Sequence, residues 1–336
     1  MSQQRWFIFH LLSLLVVLSF FPAQYAAAEA GATAEATNPR ADYWREVRGG
    51  TEGYTAIKDH PAGGVFIQSS GQNWRQLRNG PIATYGAWLL LGVIAAIGLF
   101  FLVRGRIRLE EARTGVLVPR WNVFERFIHW FVTILFLVLA LSGLSLLFGK
   151  YALIPLFGKE SFAAYAGLAK TWHNYLGPFF TGGLVIMLLM WLWDNIPSKV
   201  DIQWFLKGGG IIGNGHPSSG RVNAGEKMWY WAIFFIGGVV CAAGLFMSYP
   251  IFGQTRGELQ LAHLLHASLS IIWIAFAIGH IYIATIGSEG SLEGMITGYV
   301  DETWAKQHHD LWFDEMQAKQ NRPQSVLPQA TPKESH

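Results

Sequence analysis

The sequence predicts an all-α membrane protein built from five transmembrane helices. Hydrophobic residues make up 51% of the 336 residues and charged residues 14%, and the mean hydropathy is +0.27. These values are typical of an integral membrane protein rather than a soluble domain. Five apolar stretches, each close to the ~20 residues that cross the hydrocarbon core, cover about 83–103, 124–148, 173–193, 228–249 and 260–286.

The N-terminus predicts a secretory signal peptide over residues 1–28. Trp6–Phe21 forms its apolar core, Arg5 its basic flank and Ala26–Ala28 a small-residue cleavage site. An uncleaved anchor helix is the alternative interpretation. With either, residues 29–82 are expected to form a periplasmic segment.

The charges in the loops predict the orientation. Loops 104–126 and 194–227 carry six and four Lys or Arg residues, whereas 149–172 and 250–259 carry three and one. Short loops rich in Lys and Arg stay in the cytoplasm, so the first two loops and the tail 291–336 are expected there. Because the basic residues follow loops and form no stripe, nucleic-acid binding has no support.

Cys241 is the only cysteine of the chain. It lies in an apolar stretch, where a small packing residue is the expected role. A single cysteine excludes an internal disulfide, a cysteine-ligated iron–sulfur cluster and a covalent haem site. A redox cofactor held by this chain alone must use other ligands, and eleven histidines are available.

The last apolar stretch contains two histidines, His266 and His280. Ionisable side chains within a membrane are costly and therefore indicate function. A spacing of fourteen residues is about 40° short of whole turns and roughly 21 Å of rise. Both imidazoles are therefore expected on nearly one helix face, with one near each side of the membrane.

Depth in the membrane matches each of these histidines with a partner. His129 lies near the cytoplasmic start of the second stretch, at the level of His280, and His173 lies at the outer start of the third, at the level of His266. Two facing imidazoles are suitable axial ligands for a b-type haem, which then carries electrons because no coordination position is open. Buried packing residues or a proton relay are the alternatives. His263 competes with His266, but it lies about 100° away from His280 around the helix.

Other residues near the stretches also fit a haem bundle. The glycines allow a macrocycle or a neighbouring helix to approach the backbone. Arg120, Arg126 and Lys227 lie near the cytoplasmic interface, where they can pair with haem propionates or merely follow the positive-inside rule.

Six short motifs, taken in their order and spacing, resemble the cytochrome b556 (gamma) subunit of membrane-bound respiratory formate dehydrogenase, a group within the dihaem cytochrome b superfamily. The resemblance covers about 120–316. The motifs are Glu125–Trp130, Ala140–Gly143, Val222–Met228, Leu264–His266, Gly279–Tyr282 and Trp304–His309.

The resemblance implies a four-helix transmembrane dihaem bundle over 120–290, with 83–104 as one extra N-terminal transmembrane helix. It implies a bacterial inner-membrane complex. In that complex a catalytic molybdenum or tungsten formate dehydrogenase subunit and an iron–sulfur subunit pass electrons through this chain to quinone. It further implies a quinone site at Asn223, Gly225 and His280.

One feature departs from the family pattern, and two other functions stay open. In the family the third-span ligand directly precedes Pro-Phe-Phe, whereas His173 lies one turn before Pro178. A dihaem cytochrome b of a NiFe hydrogenase or another molybdoenzyme has the same ligand pattern. A haem-free transporter or membrane anchor is the remaining alternative. The chain has no formate-oxidising chemistry of its own.

Overall fold

The computed structural model describes residues 45–46, 69–210 and 216–320. The predicted signal peptide lies outside the described residues. In chain order the helices are α1 (Ser69–Leu77), α2 (Ala83–Arg104), α3 (Val123–Ala152), α4 (Ile154–Trp191), α5 (Lys199–Leu206), α6 (Ala224–Ala232), α7 (Gly238–Ser248), α8 (Arg256–Tyr282), α9 (Ser291–Thr297), α10 (Glu302–His308) and α11 (Asp310–Gln320), and the strands are β1 (Leu117–Pro119) and β2 (Tyr299–Asp301).

Within the described residues, five helices are long and apolar enough to cross a membrane, which confirms the predicted fold class. Three of them contain a single π-helical turn: Arg78–Ile82 joins α1 to α2, Ile233–Gly237 joins α6 to α7, and Ile283–Gly287 follows α8. The first to fifth spans are Gly71–Arg104, Val123–Ala152, Ile154–Trp191, Ala224–Ser248 and Arg256–Gly287.

Two spans begin earlier than the apolar pattern indicates. The first helix starts at Ser69, within the predicted periplasmic segment, and the third starts at Ile154 instead of 173. Polar residues such as Lys159 and Lys170 lower the hydropathy there, although Lys is a good helix former. Gly158, with φ 81°, kinks the third span, so the helix that carries His173 begins after this residue. His173 therefore lies within a long helix and not at its start.

Reciprocal caps fix where three spans begin. The side chains of Asn122, Asn223 and Thr255 accept a hydrogen bond from the backbone three residues later, and the glutamate at that position accepts one in return. Each cap satisfies N–H groups that the first turn of a helix leaves unpaired. The two asparagine caps lie at the ends where loop charges place the cytoplasm.

The second to fifth spans enclose the hydrophobic core, so they form the four-helix bundle. Its buried residues are Ile128, Val132, Phe180, Leu184, Met187, Ile233, Val240, Cys241 and Trp273. Cys241 is a buried free thiol, as expected for a packing residue. The first span packs outside the bundle on the fifth, where a Cβ on Gly86 would lie 2.6 Å from the Ile271 side chain.

The part of the predicted tail that the structure describes, residues 291–320, is folded. Strands β1 and β2 pair antiparallel, with Val118 opposite Val300. Helices α10 and α11 pack beside them, and we call β1, α9, β2, α10 and α11 the tail unit. Its core consists of Val118, Val300, Trp304, Ala305, Trp312 and Phe313. This unit covers the end of the bundle that carries His129 and His280.

Candidate functional site

Four histidines face one another in two pairs within the bundle. The ring centres of His129 and His280 are 6.5 Å apart, with 62° between the ring planes. The ring centres of His173 and His266 are 6.0 Å apart, with 77° between the planes. We call these the inner pair and the outer pair, after the orientation that the loop charges predict. The structure brings together the same partners that sequence depth predicted.

The separations fit a single metal ion held between two imidazoles. A metal–nitrogen distance of about 2 Å, with the ring centre about 1.1 Å beyond each nitrogen, separates two ring centres by about 6 Å. Both pairs lie close to this value. If the facing nitrogen atoms of the two imidazoles were in direct contact, no metal ion could lie between them.

Hydrogen bonds at Nδ1 orient both imidazoles of the outer pair. His266 Nδ1 lies 2.9 Å from the carbonyl oxygen of Val240, which accepts only, so His266 donates. His173 Nδ1 lies 2.9 Å from Ser142 Oγ, and that hydroxyl donates its own proton to the Leu139 carbonyl oxygen at 3.1 Å. Ser142 therefore accepts from His173. Each ring therefore carries its proton on Nδ1, which leaves Nε2 unprotonated and able to bind a metal ion.

Aromatic rings position the inner pair. The indole of Trp229 stacks on His280 with 5.0 Å between ring centres and 15° between planes. Trp191 lies 6.3 Å from His129. Nδ1 of His129 is buried without a hydrogen-bond partner among the described residues. A buried polar atom without a protein partner fits a site that binds another group.

Two glycines leave space beside the outer pair. A Cβ on Gly143 would lie 3.3 Å from Cε1 of His173, and one on Gly244 would lie 3.2 Å from Cε1 of His266. Larger residues at either position would push the imidazole out of place. The glycines of the second and fourth spans therefore help to set the positions of His173 on the third span and His266 on the fifth.

Residues 120–298 match the family of prokaryotic cytochrome b561. The chain belongs to that family. Membership makes it a cytochrome b with haem b as its cofactor. Together with the five apolar spans, it also makes the chain a multi-pass protein of the inner membrane.

Several curated proteins are similar to this cytochrome. The nitrate-inducible formate dehydrogenase cytochrome b556(Fdn) subunit of Escherichia coli K12 is 32% identical over 215 residues, which is 62% of this chain and 96% of that protein. The cytochrome b556(fdo) subunit from the same strain is 27% identical over 203 residues, 59% of this chain and 93% of that protein. A formate dehydrogenase cytochrome b556 subunit of Haemophilus influenzae is 29% identical over 215 residues, 61% and 86% respectively.

His263 has a structural partner in this cytochrome. Its Nδ1 accepts a hydrogen bond from the Trp74 indole at 3.3 Å, and the two rings meet edge to face. The first span is thereby fastened to the fifth, one turn before His266. His216 and His308 are also in contact, with ring centres 5.1 Å apart, but His308 belongs to the tail unit, outside the histidine pairs of the bundle.

The basic residues at the inner end have protein partners. Arg120 Nη2 lies 3.0 Å from Nε2 of His309, its guanidinium lies among Trp121, Trp304 and Trp312, and burial lowers its pKa to about 10. Lys227 pairs with Asp201 at 2.9 Å. Nη1 of Arg120 and Nε of Arg126 are buried without a partner among the described residues.

Asn223 and Gly225 lie at the cap of the fourth span. The Asn223 side chain accepts from the Glu226 backbone, and a Cβ on Gly225 would lie 3.1 Å from the Trp204 ring. Trp229, one turn after Gly225, stacks on His280. The cap is thus adjacent to the inner pair. Sequence reasoning did not identify Ser142, Trp229 or Trp204, because nothing in the local pattern distinguishes these residues from ordinary packing.

Proposed function

We propose that this cytochrome is the electron-transfer subunit of a membrane-bound formate:quinone oxidoreductase. The single observation that carries the proposal is the presence of two histidine pairs, each at the separation of a bis-imidazole site, in a chain similar to three formate dehydrogenase cytochrome b556 subunits. The chain is a subunit of an enzyme complex and does not itself oxidise formate.

In this proposal His129 and His280 ligate one b haem, and His173 and His266 ligate a second. The bound haems supply reversible one-electron chemistry. Two histidines would hold each haem iron, so the group would carry electrons rather than bind oxygen or substrate. Ser142 and the Val240 carbonyl oxygen fix the ligand tautomers of the outer pair, while Trp229 holds the plane of His280.

The partners in this proposal supply the remaining chemistry. A catalytic molybdenum- or tungsten-dependent subunit oxidises formate, and an iron–sulfur subunit delivers the electrons to the outer pair. Orientation rests on the loop charges, which put the outer pair at the periplasmic side and residues 104–126 in the cytoplasm. The predicted periplasmic segment 29–82 leads into the first span and lies on the side of the membrane where, in this proposal, these partners bind.

In this proposal quinone is reduced at the inner end of the bundle, beside His280. Asn223 and Gly225 begin the fourth span beside Trp229 and His280, where a quinone head group finds an amide, a backbone free of side chain and a neighbouring aromatic surface. Reduction of quinone there takes protons from the cytoplasm, so electron transfer from the periplasmic side is electrogenic. Formate-driven quinone reduction in proteoliposomes is expected to generate a membrane potential.

A dithionite-reduced spectrum tests the haem assignment. The purified protein is expected to show a b-type alpha band with two haems per chain. His129→Ala and His280→Ala should each lose one and the same haem, and His173→Ala and His266→Ala should each lose the other. His263→Ala is the matched control, because it removes an imidazole one turn from His266, and it should retain both haems.

Two results would contradict the proposal. Absence of the alpha band from the wild-type protein would support a haem-free transporter or anchor. Co-purification with hydrogenase subunits instead of formate dehydrogenase subunits would keep the haems but change the complex.

A further inference from the structure

A cavity of about 410 Å³ lies between the first span and the second span at the outer end of the bundle. Its lining combines two cationic side chains with polar and aromatic ones, and none of the lining residues is acidic. The lining residues are Arg78, Asn79, Leu146, Leu147, Lys150, Tyr151 and Phe162.

Arg78 reaches from the first span across to the second. Its Nη2 donates to the carbonyl oxygen of Leu146 at 3.1 Å, and its Nη1 donates to Asn79 Oδ1 at 2.8 Å. The residue is only partly exposed and begins the π-helical turn Arg78–Ile82, so the first span departs from regular α-helix at the point where this side chain enters the bundle. Single π-helical turns are rare and often lie at functional sites.

The positive charge of the cavity is not balanced within the part of the chain that the structure describes. No ion pair there includes Arg78 or Lys150. Removing a cation from water is costly unless an anion or several acceptors replace the hydration, and this cost falls on Arg78, which is partly buried, whereas Lys150 is exposed. A cavity with two cations and no acidic group is therefore suited to an anion, and a guanidinium is suited to a carboxylate or phosphate in particular.

The cavity lies next to the outer pair. Leu146 follows Gly143 by one helical turn, and Gly143 lies against His173. On the other side Trp74, one turn before Arg78, bonds to His263, one turn before His266. The first row places the Arg78 guanidinium about one turn, or ~5 Å of helix rise, outside the level of His173. The first and fifth spans run in the same direction, so the second row places the Arg78 backbone at the level of His266.

We propose that Arg78 and Lys150 bind the propionate carboxylates of the haem held by the outer pair. This inference rests on the proposed function. The propionates are the charged groups of a b haem, and ionised carboxylates are costly in hydrocarbon. They must leave the bundle at its nearest end, which is the end that this cavity occupies. The extra first span then contributes Arg78 to a cofactor site whose histidines lie on the four-helix bundle.

A redox titration of the membrane-embedded holoprotein tests this role. Arg78→Gln removes a positive charge beside the haem, which disfavours the reduced form and should lower one of the two midpoint potentials. Arg78→Lys should remain close to wild type. Arg75→Gln is the matched control, because Arg75 is exposed on the same helix and one turn away, and it should leave both midpoints unchanged.

Single-haem backgrounds identify which haem responds. In His129→Ala, which retains the outer haem alone, Arg78→Gln should shift the remaining midpoint. In His173→Ala, which retains the inner haem alone, it should not. If Arg78→Gln fails to assemble while Arg75→Gln assembles normally, Lys150→Gln serves as the variant that removes a charge. Arg78→Lys is then the control that keeps the charge, and the same shift of midpoint is expected from Lys150→Gln alone.

A phospholipid phosphate has the same charge chemistry, and an isotope label separates the two ligands. Redox difference infrared spectra are recorded with haem carrying ¹³C in its propionate carboxyls. The labelled carboxylate bands should move in Arg78→Gln and not in Arg75→Gln. Unmoved bands, with a midpoint that changes on adding phosphatidylglycerol, would overturn the proposal in favour of a lipid. Equal behaviour of the two variants would overturn it outright. Absence of haem from the wild type would instead contradict the proposed function.

Discussion

Ser142 orients the imidazole of His173 in the outer pair through a hydrogen bond. Its hydroxyl accepts from His173 and donates to a backbone carbonyl, so the direction of both hydrogen bonds is fixed. The partner of a ligating histidine commonly orients the ring and raises its basicity. The same position on the inner pair, Nδ1 of His129, has no such partner in the described chain. The two proposed haem sites are therefore expected to differ in ligand strength.

Replacing Ser142 should weaken the outer haem site. Ser142→Ala removes the acceptor for His173 Nδ1, and loss of such a partner typically reduces metal affinity about 10–100-fold. Transfer of haem to excess apomyoglobin measures the loss, and one of the two haems should leave faster. Ser145→Ala is the control, since Ser145 lies one turn away and contacts neither histidine. Equal transfer rates from the two variants would argue against the orienting role.

The pairing of the four proposed ligands was predictable from the sequence, but their supporting contacts were not. Depth along apolar stretches depends only on spacing and loop charge, so His129, His173, His266 and His280 could be paired in advance. The contacts of Ser142 and Trp229 depend on side-chain conformations at helix interfaces. His173 departed from the family pattern, yet its ring centre lies 6.0 Å from that of His266.

At the scale of elements, a seven-residue repeat orders the bundle core. Trp273 lies seven residues from both His266 and His280, and Phe136 and Phe180 lie seven residues after His129 and His173. These three aromatic residues contact one another, with ring centres 5.1–6.2 Å apart. They form a layer between the two histidine levels. A period of seven keeps residues on one helix face, so this layer follows from the same spacing as the ligands.

Helix lengths were less predictable than helix faces. Hydropathy reports the part of a helix that contacts lipid, and it misses polar turns that continue beyond the hydrocarbon core. The third span exceeded its predicted range for this reason, and the first span did so through α1. The π-helical turns were also missed, because they follow from packing of neighbouring spans and have no sequence signature of their own.

The tail unit should lose stability in mild acid. Burial lowers the pKa of His308 to about 4 and holds that of His309 well below its usual 6.5. Below pH 6.5 the unfolded tail binds protons that the folded tail does not, so stability rises with pH between about 4 and 6.5. Each group contributes at most about 1.4 kcal/mol per pH unit.

Hydrogen exchange of the β2–α10 segment between pH 6.5 and 4.5, corrected for intrinsic rates, measures this loss. His308→Gln should make the protection less dependent on pH. Asp301 titrates below this window: although burial acts to raise its pKa, hydrogen bonds from the backbone of Thr303, Gly115 and Thr114 hold it below its usual value. Constant protection across the range would contradict the prediction.

At the scale of the whole molecule, the orientation in the membrane is open to a direct test. Cys241 is buried and is the only cysteine, so Cys241→Ala provides a background free of thiols. In that background Glu111→Cys should react with an impermeant maleimide only in inverted vesicles. Phe252→Cys, at a position that is 78% exposed, should react only in right-side-out spheroplasts. The reverse pattern would put the inner pair at the periplasmic side.

The architecture as a whole divides into a predictable bundle and unpredicted additions. The family resemblance began near residue 120, and the matched family region covers 120–298. Two features were not predicted, and each involves residues outside that region. Trp74 fastens the first span to His263 of the fifth, and the tail folds against β1. Contacts between residues far apart in sequence have no local signal, so only the three-dimensional structure reveals them.

The histidine pairs are nested along the chain, since 173 and 266 lie between 129 and 280, and this order governs biosynthesis. The second and third spans each provide one ligand early, and the fifth span provides both remaining ligands last. A nascent chain that lacks the fifth span contains no complete pair. Long-range closure is slow relative to local helix formation. In the proposed assignment both sites are therefore completed by one late event, the insertion of the fifth span, and haem is expected to bind only after that span has been synthesised.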